Sequence, residues 1–303
     1  MPGTKKITTE ASPNIFSLPY LVARDEGYFE AEGVEVEFVP SKEKPPTIRP
    51  IEDPQEISSF GGPSAFEEGE SSLYRACEWG QVRRSHDSQR GGRVVAKRAA
   101  VASQAIIVRP DSPVVHPQDL ANRSVAVNFH HGSHYVAIQS LEGFLEPHEI
   151  KVVHFGGPRE RFEAVRDGRA DAAAVMEPWI TAALKLGYKI ITEAYYVGLE
   201  IASEDVDPES FAALNRAVAR AVKKINEDPR PYLHYLISNV PSEIVELTPE
   251  DFDLSRLRYV APAPYPREQF ERSLRWMRRW NLIPDDTGYE ALVDNRIASP
   301  VTV

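Results

Sequence analysis

Short apolar runs alternate with helix-like segments through the middle of the chain, and this alternation constrains the fold more than any other feature. Each run has the length of a strand, and each segment that follows repeats its apolar residues at the helical period. The predicted strands are 124–129, 151–155, 171–175 and 189–191, and the predicted helices are 132–144, 158–166 and 179–186. Strands that alternate with helices of this length form a parallel sheet with helices on its faces. The pattern therefore predicts an α/β fold.

The segments on either side extend this prediction. Residues 35–39 alternate polar and apolar side chains, as a half-buried strand does. Further strands are predicted at 56–60, 71–76 and 105–108. From Pro208 to Ile225, and again over 266–280, apolar residues recur at helical spacing. The chain is thus predicted to end in a helical tail.

Composition and charge exclude several classes of partner. The 303 residues include 35 Lys and Arg against 45 Asp and Glu, a formal net charge of −10. A chain this acidic repels nucleic acid, so no nucleic-acid partner is predicted. The single cysteine excludes an internal disulfide and a Cys-rich zinc module. No stretch approaches the roughly 20 apolar residues of a membrane span, and Gly-x-Gly-x-x-Gly is absent, so neither a span nor a cofactor is predicted.

Three segments, in order along the chain, resemble the two-lobed solute-binding proteins for sulfonates, taurine and thiamine pyrimidines. Residues 19–36 resemble the opening of those proteins, and residues 108–113 and 119–127 resemble their entry into the second lobe. The most specific match is 167–179, which is similar to their GxxDA…EPW segment. This superfamily also includes an aromatic sulfinate desulfinase and the thiamine pyrimidine synthase, both enzymes. The resemblance extends over nearly the whole chain.

The resemblance implies a periplasmic-binding-protein-like fold of type II, in which two α/β lobes close on a small ligand. Residues 1–108 and 197–303 would form the first lobe, and residues 109–196 the second. Tyr195 and Tyr196 lie near the return crossover, where we expect a hinge. Such a fold serves transport receptors and enzymes alike, so the function has to be argued from the cleft.

The resemblance further implies that four loops meet at the cleft. The first loop carries Asn14 and Phe16; Asn14 either contacts the ligand or caps a helix. The second carries Gly61, Gly62 and Ser64. Paired glycines let backbone amides approach a ligand anion, although such a pair also occurs in plain turns.

The third loop places a thiol, a carboxylate and an indole in succession, at Cys77, Glu78 and Trp79. Cys77 is either a small buried hydrophobe or a nucleophile. Trp79 either stacks against a flat ligand or fills the space at the hinge between the lobes. The basic run over 83–98 is interpreted as a solvated face that also draws an anion toward the cleft.

The fourth loop is rich in histidine and runs from His130 and His131 through Gly132 and Ser133 to His134. Gly132 and Ser133 stand where a helix begins, so their free amides and the helix dipole would attract an anion. Histidines three and four residues apart can chelate a metal on a helix. Because Gly132 indicates that the helix begins after His131, no metal is predicted, and the histidines are assigned proton or charge roles.

One further candidate follows the predicted strand 171–175. Glu177 precedes Pro178 and Trp179, on the side of the sheet where the cleft is expected. It pairs with a cationic part of the ligand or caps the helix that follows; both interpretations stand.

The sequence therefore predicts binding of a small, anionic and partly aromatic organic molecule, as in ABC-transporter substrate-binding proteins, with a permease as partner if the chain is exported. No apolar signal run follows the basic start, so a cytoplasmic location is expected as printed, and a periplasmic one if a leader was removed. A cytoplasmic sensor that reports closure to a partner is a third possibility.

The alternative is a desulfinase-like lyase or hydrolase in which Cys77 is the nucleophile and His130 or His131 the base. The desulfinase carries its cysteine in the first loop, where this chain has Asn14. The pyrimidine synthase carries a run of cysteines, which a chain with one cysteine lacks. An enzyme on this scaffold would therefore use a different set of residues.

Overall fold

The computed structural model describes residues 6–12, 14–42 and 49–302, and in this part of the chain nine strands form one mixed sheet. The strands are β1 (Lys6–Glu10), β2 (Glu35–Val39), β3 (Leu73–Cys77), β4 (Arg93–Val108), β5 (Ser124–Val127), β6 (Lys151–His154), β7 (Ala172–Val175), β8 (Lys189–Ala202) and β9 (Arg258–Tyr259). Their order is β2-β1-β3-β8-β4-β7-β5-β6, and β9 pairs with β4.

Helices lie between these strands and dominate the C-terminal third. They are α1 (Leu18–Asp25), α2 (Tyr28–Ala31), α3 (Glu78–Asp87), α4 (Gly132–Leu141), α5 (Pro158–Arg166), α6 (Trp179–Lys185), α7 (Pro208–Glu227), α8 (Leu233–Ile237), α9 (Arg267–Arg279) and α10 (Tyr289–Leu292). In the described part of the chain, no helix is both long enough and apolar enough to cross a membrane. The predicted α/β class with a helical C-terminal region is confirmed.

The long strands β4 and β8 join two halves of the sheet. In the first half β1 is parallel to β2 and β3, and in the second half β5 is parallel to β6 and β7. β4 and β8 are antiparallel to each other and to their neighbours β7 and β3. The predicted parallel sheet is therefore wrong for these central strands, because β4 crosses into the second half and β8 returns. The lobe boundaries after Val108 and before Val197 stay predictions.

The predicted strand at 56–60 is wrong. Asp53 caps a short 3-10 helix at Pro54–Glu56 by accepting the Gln55 N–H at 2.8 Å. The Ser58 hydroxyl then accepts the Gly62 N–H at 3.1 Å. Side chains that bond nearby backbone groups in this way favour turns over a strand ladder, and no strand forms here.

The basic run over 83–98 is not a solvated face. Its first part belongs to α3 and its last part to β4, and both Arg84 and Arg98 are buried. Arg84 Nη2 donates to the His130 carbonyl at 2.9 Å. The Arg98 guanidinium lies 3.5 Å from the Phe16 ring centroid. Carbonyl and aromatic partners allow these charges to leave water, which the local sequence does not reveal.

A buried carboxylate ties the C-terminal helices to the first half. Glu78 accepts the Tyr265 hydroxyl at 2.7 Å, the Gln269 amide at 2.8 Å and the Ser273 hydroxyl. Glu78 opens α3, whereas Ser273 and Gln269 lie on α9. These bonds account for the buried polar groups at this contact and fix α9 beside α3.

A second carboxylate connects α9 to the other half of the sheet. Glu142, directly after α4, accepts the indole N–H of Trp276 at 2.9 Å and that of Trp280 at 2.7 Å. The Trp276 ring also packs against Trp79 and Tyr135, with centroids 6.0 and 6.3 Å away. The start of α3, α4 and α9 therefore meet in one aromatic cluster between the two halves.

Candidate functional site

A cavity of about 500 Å³ opens where several strands of both halves end. It is lined by Glu10 and Cys77, the last residues of β1 and β3, and by His154 at the end of β6. Asn128 and Met176, which directly follow β5 and β7, line it as well. Its size suits a small organic ligand, and its place is the carboxyl end of the parallel strands.

The first-half wall of the cavity includes four of the predicted residues: Asn14, Phe16, Gly61 and Ser64. Asn14 Oδ1 accepts the backbone N–H of Phe16 at 2.9 Å and that of Ser17 at 3.1 Å, so it stabilises the turn that leads into α1. The buried Ser64 hydroxyl has no hydrogen-bond partner among the described residues. Gly62 does not line this cavity.

Of the predicted third-loop residues, Cys77 lines the cavity, whereas Glu78 and Trp79 do not. Glu78 points to the α9 contact described above. Trp79 packs between aromatic rings, with the Tyr135 and Tyr196 centroids both at 5.9 Å. This segment is the first turn of α3 rather than a loop, and Cys77 Sγ accepts the Gly80 N–H at 3.3 Å as its N-cap.

Burial raises the pKa of the Cys77 thiol, and it outweighs the opposing effect of the Arg84 charge. We therefore expect iodoacetamide at pH 7.5 to alkylate the native protein at least about tenfold more slowly than the urea-unfolded chain. Cys77 is the only cysteine, so intact mass reports this site alone. Alkylation at the unfolded rate would indicate an accessible thiolate and contradict this assignment.

The histidine-rich segment divides between the cavity and the interior. His131, Gly132 and Ser133 line the cavity. His131 Nδ1 lies 2.9 Å from the Phe129 carbonyl, and its Nε2 lies 3.1 Å from Arg84 Nη2. Because a carbonyl only accepts and a guanidinium only donates, Nδ1 carries the proton and Nε2 accepts. Arg84 therefore occupies the lone pair that a general base would use.

His130 and His134 lie outside the lining of this cavity, in the interior. His130 Nε2 donates to the Pro54 carbonyl at 2.9 Å, and the His130 backbone N–H donates to His134 Nδ1 at 3.3 Å. Burial lowers the pKa of His134 to about 3 and also lowers that of His130, so both are neutral at pH 7. Within the described residues, no three His, Cys, Asp or Glu side chains are placed to share a metal.

Arg161 lines the cavity wall that the second half of the sheet forms, and the sequence analysis did not predict it. It lies on α5, is 4% exposed, and donates from Nε to the Gly157 carbonyl at 3.1 Å and from Nη1 to the Ala174 carbonyl at 2.5 Å. Burial lowers its pKa to about 10, so it stays protonated at neutral pH. These two bonds hold the guanidinium in place, and neither of them uses Nη2. The sequence signal was Gly157-Pro158, a helix start directly after a predicted strand.

Two helix N-termini reach the cavity beside Arg161. Gly132 begins α4 and Pro158 begins α5, and both line the cavity. The first amides of a helix lack intrahelical partners and carry the positive end of its dipole. Together with the guanidinium they give this wall positive charge, although the chain as a whole has a net charge of −10.

The opposite wall carries charges of both signs and aromatic rings. Arg75 lines it, donates from Nη1 to the Thr9 hydroxyl at 2.7 Å, and stacks 3.7 Å from the Tyr20 centroid. Glu10 lines the same wall. Phe16, Phe60 and Tyr74 supply aromatic surface to the cavity. This wall can therefore contact a flat or apolar part of a ligand.

Gln104 is a second lining residue that sequence analysis missed. It lies on β4 opposite Ala194, it is buried, and its Nε2 has no hydrogen-bond partner among the described residues. Tyr196, predicted as hinge, lines the cavity from β8. Gln104 shows no local signal, because only the long pairing of β4 with β8 brings it to the cavity.

Glu177 lies in the interior and does not line the cavity. Its Oε2 accepts the Thr181 backbone N–H at 3.1 Å and the Thr181 hydroxyl at 2.8 Å, while Arg256 Nε lies 3.9 Å from Oε1. Burial raises the pKa of this carboxyl to about 7, although both Thr181 bonds and Arg256 oppose the shift. The carboxyl thus caps the first turn of α6.

The raised pKa of Glu177 predicts a pH-dependent stability. The folded state holds this proton up to about pH 7, against an ordinary value of 4.5, so stability falls as pH rises between these values. We expect Glu177→Gln to raise the free energy of unfolding by about 2 kcal/mol at pH 8 and to change it little at pH 5. Urea titrations at both pH values test this, with the exposed Glu243→Gln as control. Equal effects of Glu177→Gln at both pH values would contradict it.

Two sheet halves joined by long crossing strands, with a cavity at the strand ends between them, define the fold of the periplasmic binding proteins. The alkanesulfonate-binding protein SsuA from Xanthomonas axonopodis pv. citri, bound to MOPS, is similar, with a TM-score of 0.70 and 15% identity over 97% of this chain and 99% of that chain. A Candida albicans protein with the same generic fold is similar, with a TM-score of 0.69 and 14% identity over 100% and 98%.

The desulfurization enzyme DszB, in complex with biphenyl-2-sulfinic acid, is also similar: the TM-score is 0.60, with 15% identity over 96% of each chain. No family model matches the chain, and no curated protein matches it. At these identities the comparisons show the fold. They confirm the predicted periplasmic-binding-protein-like class, and they include both sulfonate-binding proteins and an enzyme that acts in desulfurization.

Proposed function

We propose that this protein binds a small organic anion in the cavity, with the anionic group at Arg161 and the N-termini of α4 and α5. The observation that carries the proposal is the Arg161 guanidinium, which is held by the Gly157 and Ala174 carbonyls and faces the cavity. A preorganised donor of this kind loses little entropy on binding. Each charge-assisted hydrogen bond to the anion contributes about 1.5–3 kcal/mol.

The rest of the ligand is proposed to be partly aromatic. Phe16, Phe60 and Tyr74 line the wall opposite the anion site, and a ring between them would bury apolar surface. Sulfonates, sulfinates and aromatic carboxylates have this combination of a compact anion and an apolar body. The SsuA proteins, which are named for sulfonate binding, support this class.

The proposed role is that of a substrate-binding protein whose two lobes, 1–108 with 197–303 and 109–196, close on the ligand. β4 and β8 are the connections that would flex, since they join the halves of the sheet. Under this proposal an ABC-transporter permease receives the ligand, and the protein acts in the periplasm. Fractionation of cells that express the native gene tests that location.

A desulfinase-like enzyme is the second candidate, because Cys77 and His131 line the same cavity and DszB shares the fold. Two observations weigh against this chemistry in the ground state. The Cys77 thiol has a raised pKa, and His131 Nε2 accepts from Arg84. Catalysis would require Arg84 to release that nitrogen.

A thermal-shift screen followed by mass detection of each compound separates the two candidates. The panel holds benzenesulfonate, an alkanesulfonate, biphenyl-2-sulfinate, benzoate, a thiamine pyrimidine and neutral benzenesulfonamide. An anion at 100 times its Kd adds about 2.7 kcal/mol of stability, and the proposal expects the compound to remain intact. Consumption of a compound by the native protein but not by Cys77→Ser would establish the enzyme. Stabilisation by the neutral compound alone would overturn the anion site.

A further inference from the structure

Arg98 occupies an irregular part of β4 beneath the cavity. Lys97 pairs with Leu199 and Val101 pairs with Val197, so residues 98–100 lie opposite Gly198 alone. Such a bulge redirects side chains relative to a regular strand. Arg98 is 1% exposed and lies next to Gly198, which has no side chain to displace it.

The Arg98 guanidinium is surrounded by aromatic rings and has few hydrogen-bond acceptors. It lies 3.5 Å from the Phe16 centroid and 5.6 Å from the Tyr196 centroid. Its Nε donates to the Ala100 carbonyl at 3.3 Å. The Tyr196 side chain is its one side-chain hydrogen-bond partner among the described residues, and no carboxylate oxygen bonds to Nη1 or Nη2. A buried cation without a carboxylate partner is costly.

Most ionisable groups around the buried Arg98 guanidinium are neutral or positively charged. The pKa of Arg98 responds to the Tyr196 hydroxyl, the Cys77 thiol and the Arg75 guanidinium. The Arg98 charge in turn lowers the pKa of the Glu200 carboxyl, against the larger effect of burial. Burial raises the pKa values of Tyr196 and Cys77, so both are neutral at pH 7. Glu200 is the buried carboxylate next to both guanidinium groups, and Glu10 lines the same cavity wall as Arg75.

Glu200 does not neutralise Arg98 directly. Its Oε1 accepts the Tyr20 hydroxyl, and its Oε2 has no hydrogen-bond partner among the described residues. Burial raises the pKa of this carboxyl as well, which reduces rather than increases its negative charge. Among the described residues, no carboxylate oxygen is in direct hydrogen-bond contact with Arg98.

We propose that Arg98 and Phe16 form a cation-backed aromatic floor, and that the buried Arg98 charge adds to the attraction for an organic anion whose apolar part lies against Phe16. Phe16 lines the cavity while Arg98 stacks on it, so the floor favours a flat anion over a neutral isostere. This inference rests on the proposed function and assigns to Arg98 the selectivity for charge. Burial lowers the pKa of Arg98, because desolvation of its charge outweighs the contributions of its partners, so this charge costs stability in the empty protein.

The test compares benzenesulfonate with benzenesulfonamide, which has nearly the same shape and no charge. Calorimetry gives the ratio of the two Kd values for the native protein, Arg98→Met, Arg98→Lys and Phe16→Leu. We expect Arg98→Met to reduce the preference for the anion about tenfold, while Arg98→Lys retains most of it. Phe16→Leu should weaken both compounds by a similar factor. The control is Arg123→Met, an exposed arginine before β5 that should leave the ratio unchanged.

The melting temperature without ligand is a second, independent readout. Arg98→Met should melt higher than the native protein, because a methionine fills the space without the desolvation cost of a buried charge. An unchanged Kd ratio in a folded Arg98→Met variant overturns the inference while leaving the proposed function intact. If the native protein binds neither compound, the proposed function has failed for this pair. In the separate melting experiment, a lower melting temperature of Arg98→Met than of the native protein would overturn the claim that the buried Arg98 charge costs stability.

Discussion

Replacing Arg161 with methionine should weaken the binding of an anionic ligand about 100-fold, since the lost charge-assisted hydrogen bonds contribute about 2.7 kcal/mol. Arg161 is the buried cation of the anion wall, and its Nε and Nη1 are already held by the Gly157 and Ala174 carbonyls. The ligand would therefore meet a guanidinium whose position is set before binding. Isothermal calorimetry with the tightest anion of the screen measures the change.

The matched control for this prediction lies on the same helix. Arg159 also belongs to α5, but its side chain is 48% exposed and pairs with Glu163 at 3.0 Å. Arg159→Met removes the same charge two residues away and should change the Kd less than about twofold, because solvent screens exposed charges. Equal losses from both variants would mean that only the total charge of the lobe matters. No loss from Arg161→Met, in a variant that keeps its melting temperature, would remove Arg161 from the site.

Gly198→Ala should destabilise the fold by about 4 kcal/mol, at the upper end of the cost of overpacking. Gly198 pairs with Cys77 on one side and faces the β4 bulge on the other. An added Cβ would overlap Arg98 Nε and the Ala76 carbonyl oxygen. The carbonyl belongs to β3 in the centre of the sheet, so it cannot move without breaking strand pairing.

Urea unfolding of Gly198→Ala and Gly143→Ala separates this overlap from the general effect of adding a methyl group. Gly143 follows α4, and no atom lies within 4 Å of the position its Cβ would take. We expect Gly143→Ala to change the free energy of unfolding by less than about 1 kcal/mol. If Gly198→Ala were as mild, the contact between the β4 bulge and β8 would be looser than described.

The α/β core was predictable because its signals are local. Residues 158–166 were predicted as a helix and form α5, and the alternating residues 35–39 form β2. Apolar periodicity and helix-start residues lie within a few positions of each other in such segments. The strand predicted at 56–60 failed because Ser58 and Asp53 bond to the nearby backbone, which periodicity does not take into account.

The site was predictable only where a local feature creates it. Gly132 and Ser133 lie at the cavity because a strand is followed directly by a helix start there, a pattern visible in the sequence. Glu78 and Glu177 follow strands in the same way, yet partners such as Tyr265, 187 positions from Glu78, hold that carboxylate in the interior. Arg161 was missed because an arginine on a predicted helix usually faces solvent, whereas here the Gly157 and Ala174 carbonyls hold its guanidinium in the interior at the cavity.

A crystal structure with the tightest-binding anion of the screen tests the central claim most directly. The account predicts the anionic group within hydrogen-bond distance of Arg161 Nη2 and of the Gly132 and Ser133 amides, with its apolar part against Phe16. A ligand bound at another surface while this cavity stays empty would contradict the account. So would an inverted ligand whose anionic group lies on the wall of Glu10.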